Sequence, residues 1–311
     1  MPTVTIERRI KSVPTQDHRP AFSYDEAFSR NIGWLTAAEQ ASLRTKRVAI
    51  AGMGGVGGVH LMTLTRLGIG RFTIADFDRY SVANFNRQVG ASMATVDRPK
   101  AEVMAEMARG VNPELEFRVF ADGVTDANVD AFLEGADLYV DGLDFFAFHA
   151  RKAAFAACAR LGIPAVTVAP LGMGAALLNF LPGRMTFEEY FRWEGCDETE
   201  MAARFLVGLS PAFLHAPYLV EPSAVDLAQR RGPSTGMACQ IASGIVGVEA
   251  VKILTGRGKV LAAPWGVHFD AYRNKLVRTW RPGGNRNPIQ RMLIALEKRR
   301  YAGKLGASSS G

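Results

Sequence analysis

Three glycines in this chain have the spacing of a phosphate-binding turn. A short apolar run, residues 47–51, opens into Gly52-x-Gly54-x-x-Gly57 and a helix-like stretch. Such a turn needs glycine for the tight bend at Gly52, for close approach of a phosphate at Gly54, and for close contact of helix and strand at Gly57. Backbone N–H groups at the start of the following helix then face an anion.

An acidic residue follows where a ribose contact requires one. Asp76 ends the next apolar run, residues 71–75, close to the position about 20 residues beyond the motif where a ribose-binding acid is expected. This order of elements is strand, turn, helix, strand and acid. It is more specific than a glycine motif alone, which also occurs in plain tight turns. We therefore predict a nucleotide site formed by Gly52, Gly54, Gly55, Gly57 and Asp76.

The polar residues beyond Asp76 suit chemistry at a phosphate. They are an amide, two cations and two carboxylates: Asn84, Arg87, Lys100, Asp141 and Asp144. When a carboxylate attacks the α-phosphate of ATP, two anions meet, and fixed cations and a metal ion must offset their repulsion. Asn84 and Arg87 are three residues apart, so a helical turn places both on one face. Each residue alone is more often a surface group or a cap, but the ordered set favours a functional site.

An alternation of apolar strands and helices must position these residues. The pattern predicts strands near 48–52, 71–75, 115–120, 137–141 and 163–168, with helices near 56–67, 98–110, 126–133 and 147–161. Continuous apolar strands separated by helices indicate an α/β fold, a doubly wound and mainly parallel Rossmann-like sheet with helices on both faces. Asp144 then lies just past the fourth strand, at the carboxyl edge where open α/β sheets bind ligands.

Further elements are predicted on both sides of this sheet. Residues 161–183 carry no charge but contain three prolines, which favours two buried strands joined by a turn over a membrane span. Residues 184–235 lose clear periodicity and predict an insertion over the site. The remaining elements are a helix with a capping box at Thr36–Leu43, an apolar helix at Ala238–Leu254, a hairpin at 265–280 and a basic helix at Pro288–Tyr301.

The order of the motifs resembles that of one enzyme superfamily. Four motifs are similar to the pattern of E1-like adenylyltransferases, the ThiF, MoeB and HesA superfamily that includes ubiquitin-activating enzymes. In chain order they are Asn84-Phe-Asn-Arg87-Gln88, Pro99-Lys100, Asn112-Pro113 and Asp141-Gly-Leu-Asp144. The resemblance covers roughly residues 28–182, with a looser match at 238–256. It implies an ATP-dependent enzyme that activates a carboxylate as an acyl-adenylate and releases pyrophosphate.

The resemblance also implies a role for each residue. Arg87 and Lys100 hold the triphosphate, Asp76 holds the ribose, and Asn84 supports the transfer. Asp144 is the expected magnesium ligand, because Mg²⁺ prefers one or two carboxylates together with phosphate oxygens. ATP and Mg²⁺ are therefore the expected cofactors.

Arg30 occupies the place of an arginine that, in these families, reaches across a dimer into the partner's ATP site. The resemblance thus implies a homodimer with Arg30 acting in trans, comparable to other arginine fingers. The alternative is an exposed arginine of an N-terminal arm. The substrate carboxylate is left open among a ubiquitin-like or sulfur-carrier protein, a peptide and a small molecule.

The three cysteines depart from the pattern of bacterial relatives. The sequence has no Cys-x-x-Cys pair, so neither structural zinc nor a disulfide framework is expected. Cys158 lies in an apolar stretch and is predicted to be a core residue. Cys196 and Cys239 stay open as thioester-forming thiols, although the acids beside Cys196 are expected to raise its pKa.

Composition sets the outer limits. The chain has 311 residues, of which 48% are hydrophobic and 22% charged, which is enough for a large core. The polar N-terminus lacks an apolar signal segment, so we predict a cytoplasmic protein without a membrane partner. The net charge of +7 is concentrated beyond residue 272. A solvated basic tail is its common explanation, but RNA stays open as a partner of the C-terminal region.

We predict three parts of the chain: an arm and short helix at 1–45, an ATP-binding adenylation domain at 46–281 with an insertion at about 184–235, and a basic helix with a disordered tail at 282–311.

Two alternative functions stay open. An enzyme similar to tRNA threonylcarbamoyladenosine dehydratase also activates a carboxylate with ATP. An NAD(P)-dependent oxidoreductase would use the glycine motif and Asp76 but leave Arg87 and Lys100 unexplained.

Overall fold

An eight-stranded sheet forms the centre of the fold in the computed structural model, which describes residues 21–225 and 232–308. The strands are β1 Arg47–Ala51, β2 Arg71–Ala75, β3 Glu116–Phe120, β4 Leu138–Asp141, β5 Ala165–Leu171, β6 Gly174–Phe180, β7 Trp265–Asp270 and β8 Lys275–Trp280. Their order is β3-β2-β1-β4-β5-β6-β7-β8. The five strands from β3 to β5 pair in parallel, and β6, β7 and β8 continue the sheet antiparallel.

Helices cover both faces of this sheet. They are α1 Tyr24–Ala27, α2 Ala37–Thr45, α3 Gly55–Leu67, α4 Lys100–Arg109, α5 Val129–Leu133, α6 Phe148–Leu161, α7 Phe187–Phe191, α8 Glu198–Leu209, α9 Gly236–Thr255 and α10 Pro288–Ser308. The apolar sides of α3, α4 and α9 pack on one face, and those of α5 to α8 on the other. Because both faces are covered, β1, β4 and β6 are buried at every position, which confirms the predicted α/β fold.

The long apolar helix α9 is a core element of this fold. It is the one helix in the described part of the chain that is long and apolar enough to cross a membrane by length and composition. It packs against α3, β5 and β6. Burial of one side against a sheet and a helix explains its composition.

Two predicted helices differ in their ends. Helix α5 begins at Val129 rather than near 126, because the Asn128 side chain first accepts a hydrogen bond from the Thr125 N–H (2.8 Å) and closes a turn. Helix α10 continues to Ser308, beyond Tyr301, where the sequence predicted that it ends and a disordered tail begins. Residues 309–311 of that tail lie outside the described residues.

The described part of the predicted N-terminal arm, from residue 21 onward, is attached to the sheet domain. The part of the arm at 1–20 lies outside the described residues. From residue 21 onward the chain forms α1 and a 3-10 turn, and its side chains contact the end of α3. The Tyr24 hydroxyl donates to the Gly68 carbonyl (2.6 Å), and the Asn31 amide donates to the Leu67 carbonyl (3.2 Å). These contacts attach the segment to the sheet domain.

The insertion, described at 184–225 and 232–235, contributes a helical layer to the second sheet face. Aromatic rings of α7, α8 and the loop between them fill the space beside α6: Phe187, Tyr190, Phe191, Trp193 and Phe205. The Phe205 ring also lies 5.3 Å from that of Phe145, in the loop after β4. The predicted aromatic insertion therefore reaches the loop that carries Asp144.

Candidate active site

The glycine turn lies where the chain changes direction across the sheet. Strand β1 pairs with β2 on one side and with β4 on the other, so the turns after β1 and β4 face each other at the carboxyl edge. A Cβ atom on Gly52 would lie 2.4 Å from the Gly142 carbonyl oxygen, and one on Gly57 only 1.7 Å from the Gly52 oxygen. These two glycines permit the close approach of the turns and of α3 to β1.

The other two glycines lie at the start of α3, where Gly54 faces open space and Gly55 lies against Cys239 and Arg87. A Cβ atom on Gly54 would meet only the Gln88 amide nitrogen, at 3.8 Å. One on Gly55 would lie 3.1 Å from the Cys239 sulfur and 3.5 Å from Cγ of Arg87. The start of α3, with free N–H groups, and the Arg87 stem thus border one space that an anion can enter. Gln88 and Cys239 were not predicted here, although Gln88 belongs to the Asn84-to-Gln88 motif.

Asp76 links the end of β2 to the glycine turn. Its Oδ2 accepts a hydrogen bond from the Met53 N–H (2.6 Å), and its Oδ1 accepts one from the Asp78 N–H (2.7 Å). Burial raises the pKa of this carboxyl group, while the two N–H donors and Lys100 oppose that shift. Each oxygen retains a lone pair, so a ribose hydroxyl can still donate to it.

Lys100 begins α4 and is directed towards the loop that follows Asp76. Its ammonium nitrogen lies 2.8 Å from Oδ2 of Asp78, and its side chain is only 7% exposed. The Lys100 N–H also donates to the Asp78 carbonyl (2.9 Å). Asp78, which the sequence did not predict as a site residue, fixes the cation beside Asp76. Its position two residues after the predicted ribose ligand could have identified it as a site residue.

Asn84 and Arg87 lie on the helical turn that their spacing predicted. A 3-10 turn spans Val82–Asn84, and the Arg87 N–H donates to the Asn84 carbonyl (3.1 Å). The Asn84 Oδ1 accepts from the Ser81 N–H (2.9 Å) and thereby caps this turn. The Arg87 guanidinium donates to the Ala83 carbonyl (3.1 Å) at the border of the space in front of Gly55.

Asp141 and Asp144, three residues apart, have opposite environments. Asp144 is exposed in the turn after β4, where its Oδ1 accepts from the Phe146 N–H (3.0 Å). Asp141 is buried, and its Oδ2 accepts from the Arg151 guanidinium (2.8 Å) and the Thr167 hydroxyl (2.9 Å). Asp141 is therefore part of a buried ion pair, whereas Asp144 remains accessible.

Arg151 holds the loop on which Asp144 lies. Beyond its pair with Asp141, in which both side chains are 2% exposed, its guanidinium donates to three consecutive loop carbonyls, those of Leu143 (2.9 Å), Asp144 (3.0 Å) and Phe145 (3.1 Å). The guanidinium also lies 4.5 Å from the centre of the Phe205 ring. Arg151 was not predicted as a site residue, because nothing in its local sequence pattern indicates these contacts.

The arrangement fits magnesium rather than an all-protein metal site. Within residues 21–225 and 232–308, no three His, Cys, Asp or Glu side chains are grouped to hold a metal ion. Asp144 offers one exposed carboxylate two residues beyond Gly142, which lies against the glycine turn. Mg²⁺ is commonly held by one or two carboxylates plus phosphate oxygens, so Asp144 fits as the single protein ligand.

Arg30 is the predicted site residue that the fold does not bring to the others. It is exposed on the 3-10 turn Ser29–Asn31, which contacts the end of α3 through Asn31 and Leu67. The glycine turn lies at the opposite end of this helix of 13 residues, a length of about 20 Å. Arg30 is therefore remote from the glycine turn of its own chain.

The cysteines show no sign of an activated thiolate. Burial raises the pKa of Cys239 and, with the nearby acids Glu200, Glu188 and Asp197, that of Cys196. Burial also raises the pKa of Cys158, which lies in the core as predicted. A nucleophilic cysteine needs the opposite shift, so neither open candidate is poised for a thioester in this conformation.

Comparison with known proteins identifies related enzymes. The profile of the ThiF family matches residues 28–291. The chain is 34% identical over 152 residues to tRNA threonylcarbamoyladenosine dehydratase of Haemophilus influenzae, covering 48% of this chain and 57% of the relative. It is 29% identical over 143 residues to the sulfur carrier protein ThiS adenylyltransferase of Escherichia coli, covering 46% and 56%.

Solved structures share the fold. The E. coli MccB protein with ATP matches with a TM-score of 0.58 at 19% identity, covering 78% of this chain and 66% of MccB. At this level of identity the similarity concerns the fold. The chain spans about half the length of the curated relatives that it matches.

Proposed function

Because the chain belongs to the ThiF family, we propose that it is an ATP-dependent adenylyltransferase that activates a carboxylate. In this reaction a carboxylate oxygen of the substrate attacks the α-phosphorus of ATP. The bond from that phosphorus to the bridging oxygen breaks, pyrophosphate leaves, and an acyl-adenylate results. The observation that carries the proposal is the meeting of the glycine turn, Arg87 and the Asp144 loop at one edge of the sheet.

The glycine turn and the cations supply the phosphate side of this reaction. The N–H groups at the start of α3 bind phosphate oxygens, and Gly54 leaves room for their approach. Arg87 and Lys100 offset the negative charge that develops as the two anions meet. Lys100 pairs with Asp78, so contact with a phosphate requires the ammonium to share its protons between two acceptors.

Asp144 would hold a magnesium ion together with phosphate oxygens of ATP, and that ion would supply positive charge at the reacting phosphorus. Asp76 binds the ribose, and Asn84 fixes the turn that carries Arg87. The residues mainly bind and orient the reactants and provide positive charge, as expected for transfer of a phosphorus group.

A homodimer with Arg30 in trans completes this proposal. Helix α3, about 20 Å long, separates the turn that carries Arg30 from the glycine turn of the same chain, so Arg30 would act in a partner's site. Apolar side chains near the same end of the molecule are exposed and suit a subunit contact: Trp34 is 86% and Val248, on α9, is 58% exposed. Equilibrium sedimentation that finds only monomers at assay concentrations would contradict this part.

An enzyme similar to tRNA threonylcarbamoyladenosine dehydratase is the second candidate, since relatives with that name match nearly half of the chain. Both candidates use the same activation step and differ in the carboxylate. A cytoplasmic location and the three-part division of the chain stay predictions.

Isotope exchange between ATP and pyrophosphate tests the proposal. Purified protein, Mg·ATP and labelled pyrophosphate are incubated with heat-treated cell extract as a source of carboxylates, and mass spectrometry searches for adenylates. We expect Asp144→Asn and Arg87→Gln each to lower the exchange rate by about 10²- to 10³-fold, the scale for one preorganised electrostatic contact. Asp25→Asn, which changes an exposed carboxylate on α1, is the matched control and should exchange normally. Equal exchange in all variants would contradict the assignment.

A further inference from the structure

A cavity of about 740 Å³ lies between the insertion and the start of α10, and none of the predicted site residues lines it. Its walls carry four arginines and two glutamates: Arg192, Arg204, Arg286, Arg291, Glu188 and Glu194. We call this space the arginine cavity. Such a concentration of guanidinium groups at one concave surface is typical of a site for carboxylates or phosphates.

Fixed hydrogen bonds hold the walls of the arginine cavity. The Arg204 guanidinium donates to the Glu200 carboxylate (Nε to Oε1, 3.0 Å) and to the Arg192 carbonyl. The Asn285 amide donates to the carbonyls of Phe191 and Arg204, both at 3.0 Å. These contacts connect α7, α8 and the turn before α10, so the cavity is organised before any ligand binds.

Other groups in the cavity have unused hydrogen-bonding capacity. Arg192 adopts a left-handed backbone conformation with φ 59°, which costs a non-glycine residue about 1 kcal/mol or more. Its Nε and the Glu188 Oε2 are buried without a hydrogen-bond partner in the described structure. Arg286 and Arg291 are exposed, and the ion pairs among the described residues involve neither of them.

The charges of the lining select among anionic ligands. Four arginines against two glutamates leave two net positive charges, which matches one or two carboxylates. A carboxylate of a peptide ligand accepts from the guanidinium groups. A backbone N–H of the same peptide can donate to Glu188. Phosphodiester groups carry acceptors only, so a run of them would leave the buried Glu188 Oε2 without a donor.

Helix α8 connects the arginine cavity to the candidate active site. Arg204 lines the cavity, and the next residue, Phe205, lies against the Arg151 guanidinium that holds the Asp144 loop. We propose that the arginine cavity binds an acidic segment of a peptide or protein substrate, remote from the carboxylate that is activated. This inference rests on the proposed adenylyltransferase function and specifies its substrate class. Binding at a remote site lets an enzyme orient the reacting group of a large substrate.

Fluorescence anisotropy with defined probes tests this binding. The probes are fluorescein-labelled tetraglutamate, tetralysine and a 12-nucleotide oligouridylate, each titrated with the full-length protein without ATP. We expect tetraglutamate to bind and tetralysine not to bind. The double variant Arg286→Glu/Arg291→Glu should weaken tetraglutamate binding at least about tenfold, equivalent to about 1.4 kcal/mol. The matched control is Lys275→Glu/Arg278→Glu, the same charge change at exposed positions of β8, and it should weaken binding less than about threefold.

Arg192→Gly provides a second variant that preserves the fold. Glycine adopts the backbone conformation of residue 192 without strain, so the variant should be at least as stable while it loses one guanidinium. We expect tetraglutamate binding to weaken about tenfold. Thermal unfolding measured for every variant separates lost binding from lost folding.

Three outcomes would overturn the inference: no tetraglutamate binding up to about 1 mM protein, equal weakening by the two double variants, or preference for oligouridylate that Arg286→Glu/Arg291→Glu abolishes. The last outcome would identify a nucleic-acid surface instead. Because these titrations omit ATP, they stay informative if adenylation itself is not found. Binding without any ATP–pyrophosphate exchange would sink the proposed function and retain the cavity as a peptide site.

Discussion

The carboxyl edge of the parallel strands and the insertion are built in different ways. At the edge, backbone atoms determine the structure: the turns at Gly52, Gly57 and Gly142 approach so closely that a single Cβ atom would collide with a carbonyl oxygen. In the insertion, side chains determine most of it, and rings such as Trp193 and Phe205 pack against one another in one apolar layer. Backbone requirements restrict residue type and leave a motif in the sequence. Ring packing accepts many residue combinations and leaves no motif in the sequence.

Adding one methyl group at Gly57 should produce the largest loss of stability. The new Cβ atom would lie 1.7 Å from the Gly52 oxygen, a backbone atom that cannot move without separating α3 from β1. We expect Gly57→Ala to lower the free energy of unfolding by more than about 4 kcal/mol, beyond ordinary overpacking. Urea unfolding followed by circular dichroism measures this loss.

Gly54→Ala is the matched control, because its Cβ atom would meet only the Gln88 amide nitrogen at 3.8 Å. This variant should fold normally and bind ATP weakly, since the methyl group occupies the space proposed for a phosphate. A folded Gly57→Ala protein with unchanged stability would mean that the edge tolerates side chains, and the contrast with the insertion would fail.

Replacing Arg151 tests the point where the two regions meet. Arg151→Met leaves the buried Asp141 carboxylate without its cation and three loop carbonyls without their donor. We expect a loss of about 3 kcal/mol in the free energy of unfolding, the lower end for breaking a buried ion pair. The freed Asp144 loop should also raise the Mg²⁺ concentration needed for half-maximal ATP–pyrophosphate exchange.

Arg160→Met is the control for Arg151, because Arg160 lies on the same helix and pairs with Asp130 at the exposed surface. It should change stability by less than about 1 kcal/mol. If Arg151→Met lowers stability but leaves the Mg²⁺ dependence unchanged, Arg151 supports only the fold and does not position Asp144.

The same division between backbone and side chains explains what the sequence could predict. Gly52, Gly57 and Asp76 belong to ordered, local motifs, and the structure brings them to one sheet edge. Arg151 contacts Asp141 and Phe205, and no local pattern shows that a helical arginine turns inwards to them. The positions of β1, β2 and β4 were predicted from apolar runs to within about one residue. Helices α7 and α8 were not predicted, because their buried sides depend on partners far along the chain.

Acidification should destabilise the parallel and the antiparallel sides of the sheet through one buried histidine each. His60, on α3, has its pKa lowered to about 3 by burial. His268, on β7, has its pKa lowered to about 4 by burial and by His215, against the opposing charge of Asp270. The unfolded chain binds the proton more tightly than the folded protein, so the stabilisation is present above pH 6.5 and is lost as the pH falls towards these values. Each histidine should account for a loss of about 2 kcal/mol between pH 7 and pH 5.

Urea unfolding at pH 7, 6 and 5 of His60→Leu and His268→Leu measures these two contributions. Each variant should show a smaller dependence of stability on pH than the unchanged protein. If only His60→Leu reduces the dependence, water must reach His268, and the antiparallel side of the sheet is less tightly packed than the parallel side.

Two equivalent helix caps allow the most direct comparison of the regions. Thr36 accepts from the Glu39 N–H (3.1 Å) at the start of α2, and Thr186 accepts from the Glu189 N–H (3.2 Å) at the start of α7. Both follow the same Thr-x-x-Glu pattern, but only the first was predicted, because α7 has just five residues and no periodic run after it. Thr36→Ala and Thr186→Ala should each lower the free energy of unfolding by about 1 kcal/mol. Urea unfolding provides the measurement.

If the insertion unfolds separately from the sheet, Thr186→Ala should cost less than about 0.3 kcal/mol in the main transition while Thr36→Ala keeps its full effect. Equal losses would instead mean that the aromatic layer folds as one cooperative unit with the edge that carries the proposed site.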